Sequence, residues 1–489
     1  MSTVTAAVAA GTPPDADACY RALMTHDARF DGAFFVGVTS TGIYCRTVCP
    51  AKTPRPENCT FHPSAAAAEK AGFRPCLRCR PELAPSGAAP VDAVGRLAAL
   101  AASRIEDGAL VDAGVDGLAA ELGVSGRHLR RVVERELGVT PVELAQTQRL
   151  LLAKRLLTDT DLSVTEVAFA SGFSSLRRFN ALFRERYRLN PTELRKGRGA
   201  GPLPEALVCD LPYRPPLDWP LMLGFFAGRG VAGVEAVEGE RYARSARLGD
   251  QRGWLSVEPA PNGRPALRVA VSASLAPVLT AVLARVKRQF DLSADPERIA
   301  AHLGDVVTNP GLRLAGSFDP FETAVRAVLG QQISVKSATT LAGRLAAALG
   351  EAIETPFPEV TRLFPTPERL AAAEPEELIA LGIITQRART ILGLARAVSE
   401  GRLTFDPADV PATLRQLTAL PGIGEWTAQI VAMRALAWPD AFPHTDLGVM
   451  KALGETDPKR VLAHAEPWRP WRAYATLHLW KTPAKEVTL

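Results

Sequence analysis

Cysteine is placed along this chain with a strong bias. Of seven cysteines, four fall in two close pairs: Cys45 and Cys49 in GIYCRTVCPAKTP, and Cys76 and Cys79 in FRPCLRCRPE. Cys19, Cys59 and Cys209 carry no motif, and no cysteine follows Cys209. The N-terminal MSTVTAAVAAGTPPDADACY lacks a basic region and an apolar run, so no secretory signal is expected. No stretch reaches the length of a membrane span. A cytoplasmic protein with no membrane partner is therefore expected, in a compartment where disulfides are rare. There, paired thiols at this spacing point to one zinc ion held by four cysteines. Cys59, in ENCTFHP, reads as a buried or spare thiol, although Cys59 or His62 could replace a ligand. The C-terminal half has no thiols for a cysteine-ligated iron–sulfur cluster.

At 489 residues the chain is too long for one core. Its 47% hydrophobic and 22% charged content excludes wholesale disorder. A net charge of +5 permits a nucleic-acid partner without demanding one. Local clusters say more: Arg46, Lys52, Arg55, Arg74, Arg78 and Arg80 surround the cysteine pairs. Two stretches rich in Gly, Pro and Ala, ELAPSGAAP (82–90) and KGRGAGPLP (196–204), read as linkers. Beyond the second, RYARSARLG, GWLSVEPAP and ALRVAVSASL read as strands, and from about Leu275 the pattern is helical.

The block between the linkers repeats itself. LAAELGVSGRHLRRVVERELGVTPVEL and VAFASGFSSLRRFNALFRERYRLNPTEL each place a Gly four residues after an Ala, then a Ser and an arginine-rich amphipathic helix. Gly123 permits a tight turn and Ser125 suits an N-cap. Leu129, Val132, Val133 and Leu137 take one side of the following helix, leaving Arg127, Arg130, Arg131 and Arg135 off it. A helix–turn–helix with a basic second helix suits the major groove and its phosphates. Two copies joined by ELAQTQRLLLAKRLLTD resemble the AraC-type DNA-binding domain. The resemblance makes Arg127, His128 and Arg131 base-reading candidates in the first unit, with Ser175, Arg177 and Arg178 in the second.

The cysteine segment has specific wording as well. FDGAFFVGVTSTGIYCRTVCPAK followed by AGFRPCLRCRPE resembles the N-terminal domain of the Ada methylation-response family. The resemblance implies that Cys45 takes a methyl group from a methylated DNA phosphate, with Cys49, Cys76 and Cys79 completing a zinc shell. Zinc keeps a bound thiol deprotonated at neutral pH. Turning one anionic thiolate into a neutral thioether would make the site less negative by one charge. Methyl capture would then strengthen binding to DNA.

In the C-terminal half, LRQLTALPGIGEWTAQIVAMRAL sets Leu414, Leu417 and Leu420 on a helix face that Pro421 closes. Gly422 and Gly424 form a hairpin before a helix starting near Trp426. Such a turn presents backbone N–H groups to a DNA phosphate, and the hairpin is expected to take a monovalent cation. WPDAFPHTDLGVMKAL then brings a Pro-shaped loop to Asp446. Hairpin, loop and Asp resemble the helix-hairpin-helix DNA glycosylases. DLPYRPPLDWPLMLGFFAGRGVAGVE, FETAVRAVLGQQISV and WRPWRAYATLHLW resemble its AlkA-like, 3-methyladenine branch.

The glycosylase resemblance implies Asp446 as the carboxylate that stabilises the sugar cation, although Asp is also a favoured N-cap. It further implies a base pocket of Trp426, Trp480 and Phe225, and Gln331 or Gln332 filling the gap left by the flipped base. Trp426 stands where strand-nicking members carry a Schiff-base lysine, so the implied enzyme only releases the base. No Pro-Cys-His-Arg-type motif marks an O⁶-methylguanine transferase domain.

The expected architecture is multidomain and mainly α. It comprises a small zinc-bound α/β domain (1–85), an all-α double helix-turn-helix domain (91–196), an α+β AlkA-like subdomain (204–300) and an all-α helix-hairpin-helix core (301–489). The expected function is methyl capture from phosphotriesters, transcriptional regulation and hydrolytic excision of alkylated purines. The alternative is a non-enzymatic regulator that uses a glycosylase fold only to bind DNA. Expected partners are alkylated and promoter duplex DNA and RNA polymerase, with the chain acting as a monomer.

Overall fold

Strand pairing brings the two cysteine pairs together. In the computed structural model, strands Phe35–Val38, Ile43–Cys45, Cys59–His62 and Arg74–Pro75 (β1 to β4) form a sheet of order β3-β1-β2-β4. β1 pairs antiparallel with β2 and β3, whereas β2 and β4 run parallel with Ile43 opposite Arg74 and Tyr44 opposite Pro75. That parallel register sets the next residues, Cys45 and Cys76, at the same end of the sheet. The structure describes residues 15–85, 93–106, 108–112, 114–160, 162–195, 205–407 and 409–481. The N-terminal fourteen residues, most of the first linker stretch and all of the second lie outside them.

The chain divides into two compact units, Met1–Arg214 with Pro265–Ala284, and Pro215–Arg264 with Arg285–Leu489. In the first, helix Ala65–Lys70 packs on the small sheet. Ser64 caps it, accepting from Ala67 N–H at 3.0 Å. The repeat folds as two helix–turn–helix units. Helices Gly114–Glu121 and Gly126–Leu137 form one, Val164–Ala170 and Leu176–Tyr187 the other, and the 19-residue helix Pro141–Asp159 joins them.

The local signals of the repeat act as expected. Gly123 and Gly172 turn at φ +67° and +81°. Ser125 and Ser175 cap the second helices, and capping boxes at Thr140/Glu143 and Ser163/Glu166 start the next ones. Leu129, Val132, Val133, Phe179, Phe183 and Tyr187 are buried, as the 3.6-residue periodicity requires. The same unit holds an antiparallel pair of strands, Ala206–Pro212 with Ala266–Ser272.

The second unit begins with helix Trp219–Ala227 and a meander of Glu235–Glu238, Arg241–Leu248 and Gln251–Pro259. The rest is helical, built on one large apolar core in which Val325, Val328, Leu345, Ile391, Leu394, Ala428 and Val431 are essentially inaccessible. A buried ionic network crosses it: Arg244 pairs with Glu322, and Arg326 with both Glu322 and Glu235. The helix before the hairpin is shorter than the leucine spacing suggests. It spans Val410–Thr418 and is capped at Ala419, so Leu420 and Pro421 belong to the turn. Among the described residues no helix is long and apolar enough to cross a membrane.

Candidate metal centre and candidate active site

At the metal centre, Cys45, Cys49, Cys76 and Cys79 bring their sulfurs within 4.8 Å of one another. A tetrahedral zinc with bonds of about 2.3 Å needs sulfurs about 3.8 Å apart, so the set fits that ion. Cys59 packs with Cys19, Phe34 and Val36, and His62 bonds Thr60 Oγ1 at 2.9 Å. Neither belongs to the cluster. The sulfurs perturb one another strongly. Hydrogen bonding with Cys49 pushes the Cys45 thiol up, and the bond from Cys45 pulls Cys76 down. A divalent cation satisfies all four at once.

The four sulfurs are not equivalent. Arg46 N–H donates to Cys79 Sγ at 3.4 Å and Arg78 N–H to Cys76 Sγ at 3.3 Å. Among the described residues no N–H donor reaches Cys45. It is also the most exposed of the set, at 9% against 4–6%. Hydrogen bonds drain charge from a thiolate, so Cys76 and Cys79 are the damped members of the set, and of the other two Cys45 is the more exposed. Of the surrounding cations, Arg46 is committed to Asp31, with Nε to Oδ1 at 2.8 Å, while Lys52, Arg55 and Arg78 are exposed.

On the two basic helices, Arg127, Arg131, Arg177 and Arg178 are exposed, with His128 and Ser175 half-buried beside them. Arg131 Nη2 lies 3.0 Å from His128 Nδ1. Ser175 is committed to its cap, accepting from Arg178 N–H at 3.4 Å.

In the second unit, Asp446 ends the Pro-containing loop and caps helix Leu447–Leu453. Four donors converge on its carboxylate. Trp426 Nε1 reaches Oδ2 at 2.8 Å and Trp480 Nε1 reaches Oδ1 at 2.9 Å. Oδ1 also accepts from Gly448 N–H at 2.9 Å and Val449 N–H at 3.1 Å. A carboxylate spread over four N–H bonds is a weak nucleophile fixed in one orientation.

The hairpin brings Trp426 to this point. Gly422 sits at φ +86°, and a Cβ there would meet Thr390 Oγ1 at 2.1 Å, so only glycine closes the turn. Gly424 is the N-cap of helix Glu425–Arg434, and both glycines are exposed. Gln331 folds onto the hairpin, its Nε2 reaching Gly422 O at 2.9 Å and Thr427 Oγ1 at 3.0 Å. Gln332 is exposed and held at φ +53°. The loop therefore presents one of the two glutamines, not both.

Phe225 is not brought to the tryptophans by any ring contact. Its neighbours are Phe226 and two guanidinium groups, Arg229 at 4.0 Å and Arg434 at 4.9 Å from the ring centre. Burial and the nearby Arg326 and Arg229 push Arg434 down to about 9.

Two contributors escaped the sequence reading. A Cβ on Gly448 would lie 3.0 Å from both Asp446 Oδ1 and the Trp480 ring, so Gly448 admits the indole. Gln429 Oε1 accepts Phe442 N–H at 3.0 Å, tying the hairpin helix to the loop that ends at Asp446. The Asp-Leu-Gly spelling was a usable signal for the first; nothing local marks the second.

Four family descriptions match in succession. They are the metal binding domain of Ada over residues 18–82, a helix-turn-helix domain over 118–197, the AlkA N-terminal domain over 208–319, and the HhH-GPD superfamily of base excision DNA repair proteins over 325–466. A Mycobacterium tuberculosis protein described as a probable bifunctional transcriptional activator/DNA repair enzyme AlkA is 41% identical over 486 residues, spanning 96% of each chain. The chain belongs to that family. Its back half is separately similar to the Escherichia coli DNA-3-methyladenine glycosylase 2, 42% identical over 56% of this chain and 96% of that protein. Its front is similar to the E. coli bifunctional activator/repair enzyme Ada, 32% identical over 32% of this chain and 42% of that one. An Ada-type metal domain and a helix-turn-helix domain thus stand ahead of an AlkA-type glycosylase domain.

Proposed function

We propose that this chain answers DNA methylation with two separate reactions and a regulatory response. At the front, the Cys45 thiolate attacks the methyl carbon of a methyl phosphotriester. The carbon–oxygen bond breaks and the phosphodiester leaves as an anion. Cys45, Cys49, Cys76 and Cys79 would hold zinc, which keeps the thiols ionised. The site loses one negative charge and cannot be reset by the same reaction, so this is one event per chain. The double helix-turn-helix, reading bases through Arg127, His128, Arg131, Arg177 and Arg178, then holds promoter DNA more tightly. As an activator it would recruit RNA polymerase, working as a monomer.

At the back, the chain releases alkylated purines of the 3-methyladenine type. The lesion is cationic, so the electron pair of its C1′–N bond leaves with the base, which departs neutral. The sugar takes on positive charge, which Asp446 stabilises while water adds to C1′. Trp426 and Trp480 orient the carboxylate and offer π-faces to the cation. Gln332 fills the space left in the duplex, and Gly422 and Gly424 meet a phosphate, with a monovalent cation at the hairpin. With Trp426 in place of a lysine, the product is an intact strand carrying an abasic site. The reading divides the chain at residues 1–85, 91–196, 204–300 and 301–489.

The observation that carries this reading is the Asp446 carboxylate gripped by two indole N–H groups at the end of a hairpin-held loop. Asp446→Asn tests it on duplex containing 3-methyladenine. Loss of base release with unchanged duplex binding is expected; equal release by the variant would remove Asp446 from the mechanism.

A further inference from the structure

The linking helix carries a charge where packing alone calls for an apolar residue. Lys154, in the middle of Pro141–Asp159, has 1% of its side chain exposed. Its ammonium group pairs with Glu82, itself 2% exposed, and donates to the carbonyl oxygen of Cys76 at 3.3 Å. Cys76 is one of the four clustered thiols, and Glu82 lies three residues beyond another, Cys79. Glu82 also accepts from Arg80 Nε at 3.0 Å, and Arg80 Nη2 reaches back to Asp159 of the same helix at 2.7 Å.

The metal lobe is therefore fastened to the DNA-reading domain by crossed ion pairs directly behind the cysteine cluster. Two further bonds extend the seam. Thr147 Oγ1 donates to the buried Glu69 at 2.9 Å, and Ser64 Oγ to Leu137 O at 2.8 Å. The strand Arg74–Pro75 also packs against the second basic helix, Leu176–Tyr187.

A buried ion pair is a poor source of stability, because desolvating two charges cancels most of their attraction. Its value is in fixing one arrangement: a misplaced lobe would leave Lys154 or Glu82 buried and unpaired. We propose that the Lys154–Glu82 pair is the joint that converts methyl capture into tighter DNA binding. This rests on the reading of Cys45 as methyl acceptor. The cluster changes by one charge, and that change reaches DNA affinity only if the lobe is held beside the same duplex that the basic helices grip. Rigid attachment supplies the effective concentration that a loose tether does not. Lys154 is a positioning residue here: it touches neither DNA nor the transferred methyl group.

The test uses the full-length, zinc-loaded chain before and after exposure to methyl-phosphotriester DNA, with a fluorescent duplex of random sequence as the binding probe. Methyl uptake is read by mass spectrometry. The unaltered chain is expected to gain about tenfold in affinity on methylation. Lys154→Met should take up methyl and hold zinc as before, yet gain less than about twofold; Lys154→Arg should restore the gain. Where Lys154→Met does not fold, Glu82→Gln is measured against the same two outcomes. A full gain in the uncoupled variant, or no gain in a methylated unaltered chain, overturns the joint. Absence of methyl uptake by the unaltered chain is a different failure, which takes down the acceptor reading and the joint with it.

Discussion

On the proposed reading, the metal centre and the Asp446 site both set an anion against electron-poor methylated DNA, yet they dress it in opposite ways. Asp446 receives four N–H bonds. Cys45 receives none from the described residues, while Cys76 and Cys79 each receive one. Hydrogen bonds hold a charge in place and lower its appetite for carbon. On the proposed reading, the carboxylate would stabilise a cation without bonding to it and be ready for another turnover. The bare sulfur would bond to carbon and be consumed. The number of donors around each anion would then separate a reusable site from a single-use one.

The sharpest way to break this contrast is to remove the metal. A chelator strong enough to strip four thiolates should abolish methyl uptake, and base release should stay within about twofold of its starting rate, because the helical core owes nothing to the cysteines. Loss of both activities would make the two sites one system. Next in size is Asp446→Asn, for which single-turnover base release should fall about a thousandfold, the scale seen when a group placed against developing charge is removed. Methyl uptake measured on the same preparation should be unchanged.

A smaller effect tests the donors themselves. Trp480→Phe keeps the π-face and deletes one N–H bond to the carboxylate. A hydrogen bond to a charged group is worth roughly 2 kcal/mol, or about thirtyfold in the rate of base release. If the rate does not move, the indole acts only by stacking.

The last effect is one of stability rather than rate, and it concerns the front unit alone. Burial raises the Glu69 carboxyl from 4.5 to about 7, against the bonds from Thr147 and Tyr44. Between those two values the folded form keeps a proton that the unfolded form has lost. This group's contribution is therefore full below pH 4.5 and lost as pH rises through 7. The loss amounts to about 3 kcal/mol at most. Thermal melts should show the first unit weakening from pH 5 to 8, and Glu69→Gln should flatten that slope.

Much of this was written locally in the chain. The four-cysteine set, the serine cap at Ser125 and the hairpin glycines each depend on neighbours a few residues away, and each appears where the spelling placed it, whereas Ser175, expected to read bases, is taken up by its cap. What stayed hidden is set by distant contacts or by backbone shape. Gln331 and Gln332 are identical in composition; only the positive φ of Gln332 and the pull of Gly422 O on Gln331 tell them apart. The guanidinium groups on Phe225 come from Arg229, just past the end of its own helix, and from Arg434 in the distant hairpin helix. Lys154 and Glu82 are 72 residues apart, and Lys154, beside Arg155 in LLLAKRLL, gives no sign of its partner.

The central claim is that two anions do different work in one chain, and a single tube can decide it. The full-length protein is mixed with excess duplex carrying both methyl phosphotriesters and 3-methyladenine. The mass of the Cys45 peptide and the amount of free base are followed over time. One methyl per chain, confined to Cys45 and reaching a plateau, with base release continuing through many turnovers, is the predicted result. Methyl on another residue, or base release that stops at one per chain, would contradict it.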